Sequence, residues 1–231
     1  MAFIVITGGD KCGKTTQCKL LVDKLRNVKV GAVLLGVPDY ESPVGETIRY
    51  LLQEGPSSDK RKLIHWQRSM EALHIIDKRL VASKVREAQK QGAIVVCSRW
   101  FESAKVYAQA NGFEEEWHDS LIRNLPYPDL TILLDITDAT YRTRLESNGK
   151  EGIDKYEANF LMQQKVRELF RDEVENSSMW MVDGGKNQDE VANSVWGLVQ
   201  HKLLAMAATA SIPFDTFKAI ADLAYRHNAH D

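Results

Sequence analysis

Cysteine is scarce in this chain, and neither sign of charge is in clear excess. The three cysteines among its 231 residues, Cys12, Cys18 and Cys97, cannot all pair, and none has the CxxC spacing of a metal or redox site. This argues against a disulfide scaffold and favours a reducing compartment, so we expect a cytoplasmic protein. The formal net charge of −2 gives no electrostatic reason to expect a nucleic-acid partner.

Long hydrophobic runs are also missing. The apolar stretches fall far short of the roughly 20 residues that a bilayer span requires, and no signal-peptide pattern opens the chain. We therefore expect no membrane association. The composition, 44% hydrophobic and 27% charged, is typical of a globular protein. Without repeats or an interdomain linker, the sequence predicts a single domain over residues 1–231.

Five short apolar runs contain β-branched residues, and each is followed by a loop signal. Because apolar and polar residues do not alternate within these runs, the runs are typical of strands that are buried on both faces in a parallel sheet. Segments with helical spacing separate them, which implies right-handed βαβ crossovers and a three-layer α/β/α sandwich around about five strands. The runs are residues 2–7, 30–37, 92–98, 130–136 and 178–184.

Two segments stand apart from this alternation. Residues 142–156 are basic and interrupted by glycine, which predicts a lid loop between two helices. Such a lid can close over a bound substrate and exclude water, and Arg144 is the favoured substrate-binding base within it. Residues 212–231 predict a C-terminal helical extension that packs on the body or on a partner subunit.

The clearest motif is GGDKCGKTT, residues 8–16. Gly8, Gly13, Lys14 and Thr15 complete a Walker A pattern between a predicted strand and a predicted helix. The backbone N–H groups of such a loop and the helix dipole bind phosphate oxygens, Lys14 can reach the β and γ oxygens, and the Thr15 hydroxyl suits Mg²⁺. The predicted ATP site comprises Gly8, Gly9, Asp10, Lys11, Cys12, Gly13, Lys14, Thr15, Thr16 and Arg144.

An acid and a base, Asp10 and Lys11, interrupt the glycine-rich loop. A carboxylate here can accept a hydrogen bond from the sugar of a second substrate, and the base can follow the phosphoryl group as charge moves to the acceptor. The alternative is a local ion pair that only orients the loop, and exposed pairs of that kind contribute about 0–1 kcal/mol. The first interpretation favours a kinase that binds two nucleotides.

Further segments agree in order and spacing with one known family. They are PDYESPVGETIRYLLQ (38–53), LHIIDK (73–78), VVCSRW (95–100), PDLTILLDI (128–136) and IDKYEANF (153–160). With the glycine-rich loop, they resemble the thymidylate kinase family of P-loop nucleoside monophosphate kinases over residues 2 to about 205. The resemblance implies a P-loop NTPase fold, ATP and a deoxynucleoside monophosphate as substrates, Mg²⁺ as cofactor, and a homodimer.

The resemblance also implies roles for individual residues. Asp10 matches the carboxylate that contacts the acceptor sugar, and Lys11 matches a base that assists transfer. Lys14 and Arg99 complete the expected catalytic set, with Arg99 on the acceptor phosphate. The expected acceptor site comprises Asp10, Tyr40, Arg49, His74, Lys78, Arg99, Ser103 and Tyr107, whereas Trp66 is expected in the core.

The chain departs from the family pattern on the acceptor side. His74 stands where the family stacks a Phe on thymine, and Lys78 stands where it has a base-recognising Arg. Ser98 replaces the usual Asp before Arg99, and Tyr40 replaces an Arg that grips phosphate in some members. Because the ATP side is intact, these departures bear on base specificity more than on reaction type.

We therefore expect an ATP-dependent kinase that converts dTMP to dTDP in deoxynucleotide biosynthesis. A kinase for another pyrimidine or a modified, dUMP-like deoxynucleotide is the alternative that His74, Lys78 and Ser98 leave open. A P-loop ATPase or switch is a third interpretation. It requires a Walker B carboxylate and a water-positioning side chain, and Ser98 speaks against it.

Overall fold

A parallel sheet forms the centre of the protein, for which the computed structural model describes residues 1–56, 59–147, 159–209, 213, 215–216 and 218–219. Side by side, its five strands are β2 (Ala32–Gly36), β3 (Ile94–Ser98), β1 (Phe3–Thr7), β4 (Leu130–Asp135) and β5 (Trp180–Asp183). The three central strands are almost wholly buried, because helices cover both faces of the sheet.

Helices alternate with the strands and begin at recognisable caps. In the helix that contains Pro43 at its first turn, the Ser42 side chain accepts a hydrogen bond from the Gly45 N–H at 3.0 Å. The helices are α1 (Lys14–Asn27), α2 (Pro43–Glu54), α3 (Lys60–Lys90), α4 (Phe101–Ala110), α5 (Glu115–Ile122), α6 (Asp138–Ser147), α7 (Phe160–Glu175) and α8 (Gln188–Ala208).

The core lies in two layers, one on each face of the sheet. Alternate residues of β1 point to opposite layers: Ile4 packs with α1 and α8, whereas Val5 packs with α3. A smaller cluster packs α4 and α7 over Leu133 of β4. The layers bring the carboxyl ends of β1, β3 and β4 to one edge, where open α/β sheets bind their ligands.

The predicted fold class is confirmed, since each of the five apolar runs contains one parallel strand. The first six residues of the expected lid, 142–147, are helical and end α6. The remainder of that segment and most of residues 212–231 lie outside the described residues. Within the described ranges, no helix combines the length and apolar character needed to cross a membrane.

Candidate active site

The loop between β1 and α1 has a backbone that only glycine permits at its first position. Gly8 has φ 139°, and a Cβ there would lie 2.4 Å from the carbonyl oxygen of Leu134. Gly13 has φ 96° at the N-cap of α1. The unpaired N–H groups at the start of α1 therefore follow directly on a tight loop, which is the arrangement that binds phosphate.

Lys14 lies over this loop. Its Nζ donates a hydrogen bond to the Gly9 carbonyl oxygen at 2.5 Å and lies 3.5 Å from Cys12 Sγ. The residue is buried, with 8% of its surface exposed, and burial, assisted by the charge of Arg99, lowers the pKa of Lys14. A buried cation is thus held beside the donors that the loop offers to phosphate.

The carboxylate of Asp10 joins three parts of the fold. It pairs with Arg99 Nη2, and its Oδ2 accepts hydrogen bonds from Tyr107 OH at 3.0 Å and from Gln163 Nε2 at 2.7 Å. Burial opposes ionisation, but the charges of Arg99 and Lys14 outweigh it and hold the pKa of Asp10 below its usual value. Asp10 is therefore a carboxylate at neutral pH, held by α4, α7 and the end of β3.

Arg99 follows β3 immediately and has an unusual backbone. Its φ of 67° lies in the left-handed region, which is uncommon outside glycine and clusters at functional sites. Its Nη1 donates to the Gly8 carbonyl oxygen at 3.1 Å, and its guanidinium lies 5.5 Å from the centre of the Tyr107 ring. This geometry fixes a permanent cation between the loop and α4.

One face of α3 forms the opposite side of the site. Burial lowers the pKa of His74 to about 3, with Lys78 and Arg99 acting in the same direction, so the imidazole is neutral at pH 7. Lys78 is 3% exposed, and its Nζ donates to the His74 carbonyl oxygen at 3.3 Å. A neutral aromatic ring and a buried cation therefore lie on the same helix face.

Tyr40 and Ser103 complete the surroundings. Ser103 shares a 2.8 Å hydrogen bond with Thr7 of β1, which fixes α4 against the sheet. The Arg49 guanidinium packs 4.7 Å from the centre of the Tyr40 ring, and its Nη2 donates to the Tyr40 carbonyl oxygen at 3.3 Å. Arg49 itself does not line the cavity described below, so its contact with the acceptor stays a prediction.

These elements enclose a cavity of about 830 Å³ at the carboxyl edge of the sheet, a volume in the range of small-molecule sites. Among the predicted residues, Gly8, Gly9, Cys12 and Arg49 do not line it. The predicted residues that do line it are Asp10, Lys11, Gly13, Lys14, Thr15, Thr16, Tyr40, His74, Lys78, Arg99, Ser103, Tyr107 and Arg144.

Arg144 reaches the loop from α6. Its Nη1 donates to the Lys11 carbonyl oxygen at 3.0 Å, and its Nη2 donates to the Gly184 carbonyl oxygen at 2.7 Å. The guanidinium therefore joins the phosphate loop to the turn after β5. This position on the Walker A side of the cavity is compatible with the predicted ATP contact.

Sequence reasoning missed Gln163 and misplaced Trp66. Gln163, on α7, donates a hydrogen bond to Asp10. The sequence feature that could have indicated it is its position on the same face of the helix as the buried residues Val166 and Phe170. The expected core position of Trp66 is wrong, because Trp66 is half-buried and lines the cavity. Glu71, which no motif singled out, lines it as well.

Residues 6–195 match the family model for thymidylate kinase. The chain belongs to the thymidylate kinase family. It is therefore a phosphotransferase of the nucleoside monophosphate kinase group, and the expected enzyme class is confirmed.

Individual relatives agree with the family match. A probable thymidylate kinase from Pyrococcus horikoshii is 30% identical over 207 residues, covering 88% of this chain and 98% of the relative. Thymidylate kinase from Schizosaccharomyces pombe is 33% identical over 168 residues, covering 73% and 74% respectively. A solved structure of thymidylate kinase from Candida albicans superposes with a TM-score of 0.68 at 24% identity, covering 87% of this chain and 91% of that one, which supports the fold.

Proposed function

We propose that this kinase transfers the γ-phosphoryl group of ATP to dTMP, which yields ADP and dTDP. The observation that carries the proposal is that one cavity joins the Walker A loop to the α3 face of His74 and Lys78, with Asp10 and Arg99 between them. Two nucleotides bound at these two ends have their phosphates at the centre. The thymidylate kinase relatives support dTMP as the acceptor.

On the donor side, the chain supplies positioning and charge. We assign the backbone N–H groups of the loop to the ATP phosphates and Lys14 to the β and γ oxygens. Lys11, whose backbone also takes a left-handed conformation at φ 60°, supports the phosphoryl group in transfer. Arg144 steadies the loop through the Lys11 carbonyl oxygen.

On the acceptor side, Asp10 is assigned to the sugar hydroxyl and Arg99 to the phosphate of dTMP. His74 stacks on the base, because its lowered pKa keeps the ring neutral and free of a desolvated charge. Ser103 and Tyr107 from α4 close the side of the acceptor site opposite α3. Together these contacts align the attacking oxygen with the γ-phosphorus.

Magnesium fits the residues of the donor side. Thr15 and Ser98, which both carry a hydroxyl group, line the cavity. Mg²⁺ takes oxygen ligands, chiefly from substrate phosphates and water. We propose Thr15 as the protein ligand of an ion bound with ATP. Such an ion neutralises charge on the transferred group.

A panel assay tests the proposed reaction. Coupled ADP release is measured with ATP and each of dTMP, dUMP, dCMP, dGMP and dAMP, and kcat/KM is expected to be highest for dTMP. Because transfer requires a positioned acceptor, ADP release without a monophosphate is expected to be negligible. Highest turnover on a purine monophosphate, or hydrolysis that is independent of acceptor, would contradict the proposal.

We also propose that the kinase is a cytoplasmic homodimer that pairs through α3. Ile76 and Leu80, 47% and 48% exposed, lie one turn apart on the outer face of α3, and Ile64 on the same helix is 49% exposed. Apolar side chains at such spacing form self-complementary helix interfaces. The three cysteines are free and buried, as suits a reducing compartment.

The double substitution Ile76→Glu and Leu80→Glu is expected to convert a dimer into a monomer. Four carboxylates would face each other across a two-fold interface, and buried unpaired charge is strongly unfavourable. The measurement is molar mass by light scattering during gel filtration. Met181→Glu, on the exposed edge strand β5, is the matched control and is expected to leave the dimer intact. A monomeric wild-type protein would refute the dimer.

A further inference from the structure

Two buried charged side chains flank His74 on the cavity face of α3. Glu71 and Lys78 lie three residues before it and four residues after it, and that spacing places all three on one side of the helix. Glu71 is 5% exposed and Lys78 is 3% exposed, yet both line the cavity. The base end of the acceptor site therefore presents both a carboxylate and an ammonium group, with His74 between them on the helix.

Among the residues that the structure describes, the protein leaves hydrogen-bonding capacity unused on both side chains: Lys78 Nζ has one hydrogen bond, to the His74 carbonyl oxygen at 3.3 Å, and an ammonium group can donate three. Within the described residues, Glu71 Oε1 accepts no hydrogen bond, and Glu71 and Lys78 attract each other without forming an ion pair within 4.0 Å. His118 of α5 stands behind Glu71, but the 3.9 Å from its Nε2 to Glu71 Oε1 is too long for a hydrogen bond. Buried charged groups with unused hydrogen-bonding capacity are unfavourable, so a cavity that holds two of them points to a ligand with complementary groups.

We propose that Glu71 determines base specificity: its carboxylate accepts a hydrogen bond from N3–H of thymine, while Lys78 donates to the adjacent O4. An ionised carboxylate only accepts hydrogen bonds and an ammonium group only donates them. The edge of a keto pyrimidine offers the matching donor and acceptor on neighbouring atoms. The inference rests on the proposed function, since it requires dTMP in the acceptor site.

Cytosine in the same pose is mismatched at both atoms. Its amino group at position 4 would meet the Lys78 ammonium, and its unprotonated N3 would meet the Glu71 carboxylate. Sites built to bond one polar group reject analogues that lack it, because buried polar atoms are then left unpaired. Uracil presents the same edge as thymine, so Glu71 does not distinguish dTMP from dUMP.

The titration of Glu71 supplies a second observable. Burial raises the pKa of Glu71 to about 7, against the opposing effect of Lys78. Burial also lowers the pKa of His118, and the charge of Lys78 acts in the same direction. The other charged or titratable groups that interact with Glu71, Lys78 or His118 are His74, Asp77, Cys97, Arg99, Glu102, Lys105 and Asp119. Because only the carboxylate accepts N3–H, kcat/KM for dTMP is expected to rise with pH through about 7.

Glu71→Gln tests the proposal, because an amide of the same shape can donate to the N3 of cytosine. We expect the ratio of kcat/KM for dTMP to that for dCMP to fall about 10- to 100-fold, which corresponds to the free energy of one hydrogen bond to a charged group. The dTMP to dUMP ratio is expected to stay constant. The rise in kcat/KM near pH 7 is expected to disappear in this variant. The change in kcat/KM near pH 6 that comes from ionisation of the dTMP phosphate is expected to remain.

Glu102→Gln is the matched control, because Glu102 is also buried and burial raises its pKa to about 7. Unlike Glu71, it accepts a hydrogen bond from the Thr131 hydroxyl and does not line the cavity. It is expected to leave the base ratios unchanged. Wild-type enzyme with dTMP methylated at N3 gives a test without mutation, with an expected loss of about 10- to 100-fold in kcat/KM. Unchanged base ratios in Glu71→Gln, or full activity on the methylated nucleotide, would overturn the inference. A wild-type enzyme inactive on dTMP would instead refute the proposed function.

Discussion

Lys14→Ala is expected to lower kcat by about 10²–10³, the usual loss when one preorganised charge-stabilising donor is removed. The variant keeps the loop backbone but loses the cation that lies over it, so charge that builds up between ADP and the γ-phosphoryl group is no longer neutralised. Steady-state kinetics with ATP and dTMP measure the effect. Burial already opposes the charge of Lys14, so the melting temperature is not expected to fall.

Lys24→Ala is the matched control for this prediction. Lys24 lies on the same helix, with its Nζ 4.8 Å from the centre of the Trp196 ring and away from the cavity. It is expected to retain wild-type kcat. If Lys14→Ala turned over dTMP as fast as Lys24→Ala did, Lys14 would have no part in phosphoryl transfer.

Asp10→Asn is expected to lower kcat/KM for dTMP about 10- to 100-fold, because a charge-assisted hydrogen bond to the acceptor is weakened and Arg99 loses its anionic partner. The KM for ATP is expected to change little. Titrating each substrate at saturating levels of the other separates the two effects. A change confined to the KM for ATP would show that Asp10 does not contact the acceptor.

Two further variants make the result for Asp10 specific. Asp10→Glu keeps the negative charge and is expected to recover part of the lost activity. Asp138→Asn removes a different ion pair, the one between the Asp138 carboxylate and Arg167 Nη2 at 2.5 Å. Asp138 does not line the cavity. It is expected to leave kcat/KM for dTMP unchanged. An equal loss in Asp138→Asn would indicate a general effect of broken ion pairs.

The strands and the Walker A loop were predictable because their causes are local. A strand buried on both faces has to be continuously apolar, so the five runs marked the five strands. Gly8 has to be glycine because of a backbone clash with Leu134, and that requirement appears in the sequence as a fixed motif. The helices α4 and α5 were not predicted, because ten and eight residues are too few to show a clear helical period.

The acceptor side was less predictable, because helices far apart in sequence form it. Gln163 contacts Asp10 only because α7 packs beside α4. In the sequence, only its place on the helix face of Val166 and Phe170 distinguishes it from the adjacent Gln164. Glutamate is usually exposed on a helix, and Glu71 is buried only because α3 packs against α5 there. Periodicity predicts which faces are apolar, but not which polar side chain is enclosed.

The position of Trp66 on the cavity wall gives the molecule an optical probe of its own. Indole emission responds to the polarity of its surroundings, and Trp66 stands on α3 close to Glu71 and His74. Trp100, by contrast, is fully buried against Phe3, and its Nε1 donates a hydrogen bond to the Pro126 carbonyl oxygen at 2.9 Å. Like Trp100, the described side chains of Trp180 and Trp196 do not line the cavity, so their emission forms the background. Occupancy of the acceptor site can thus be followed by fluorescence titration without any attached label.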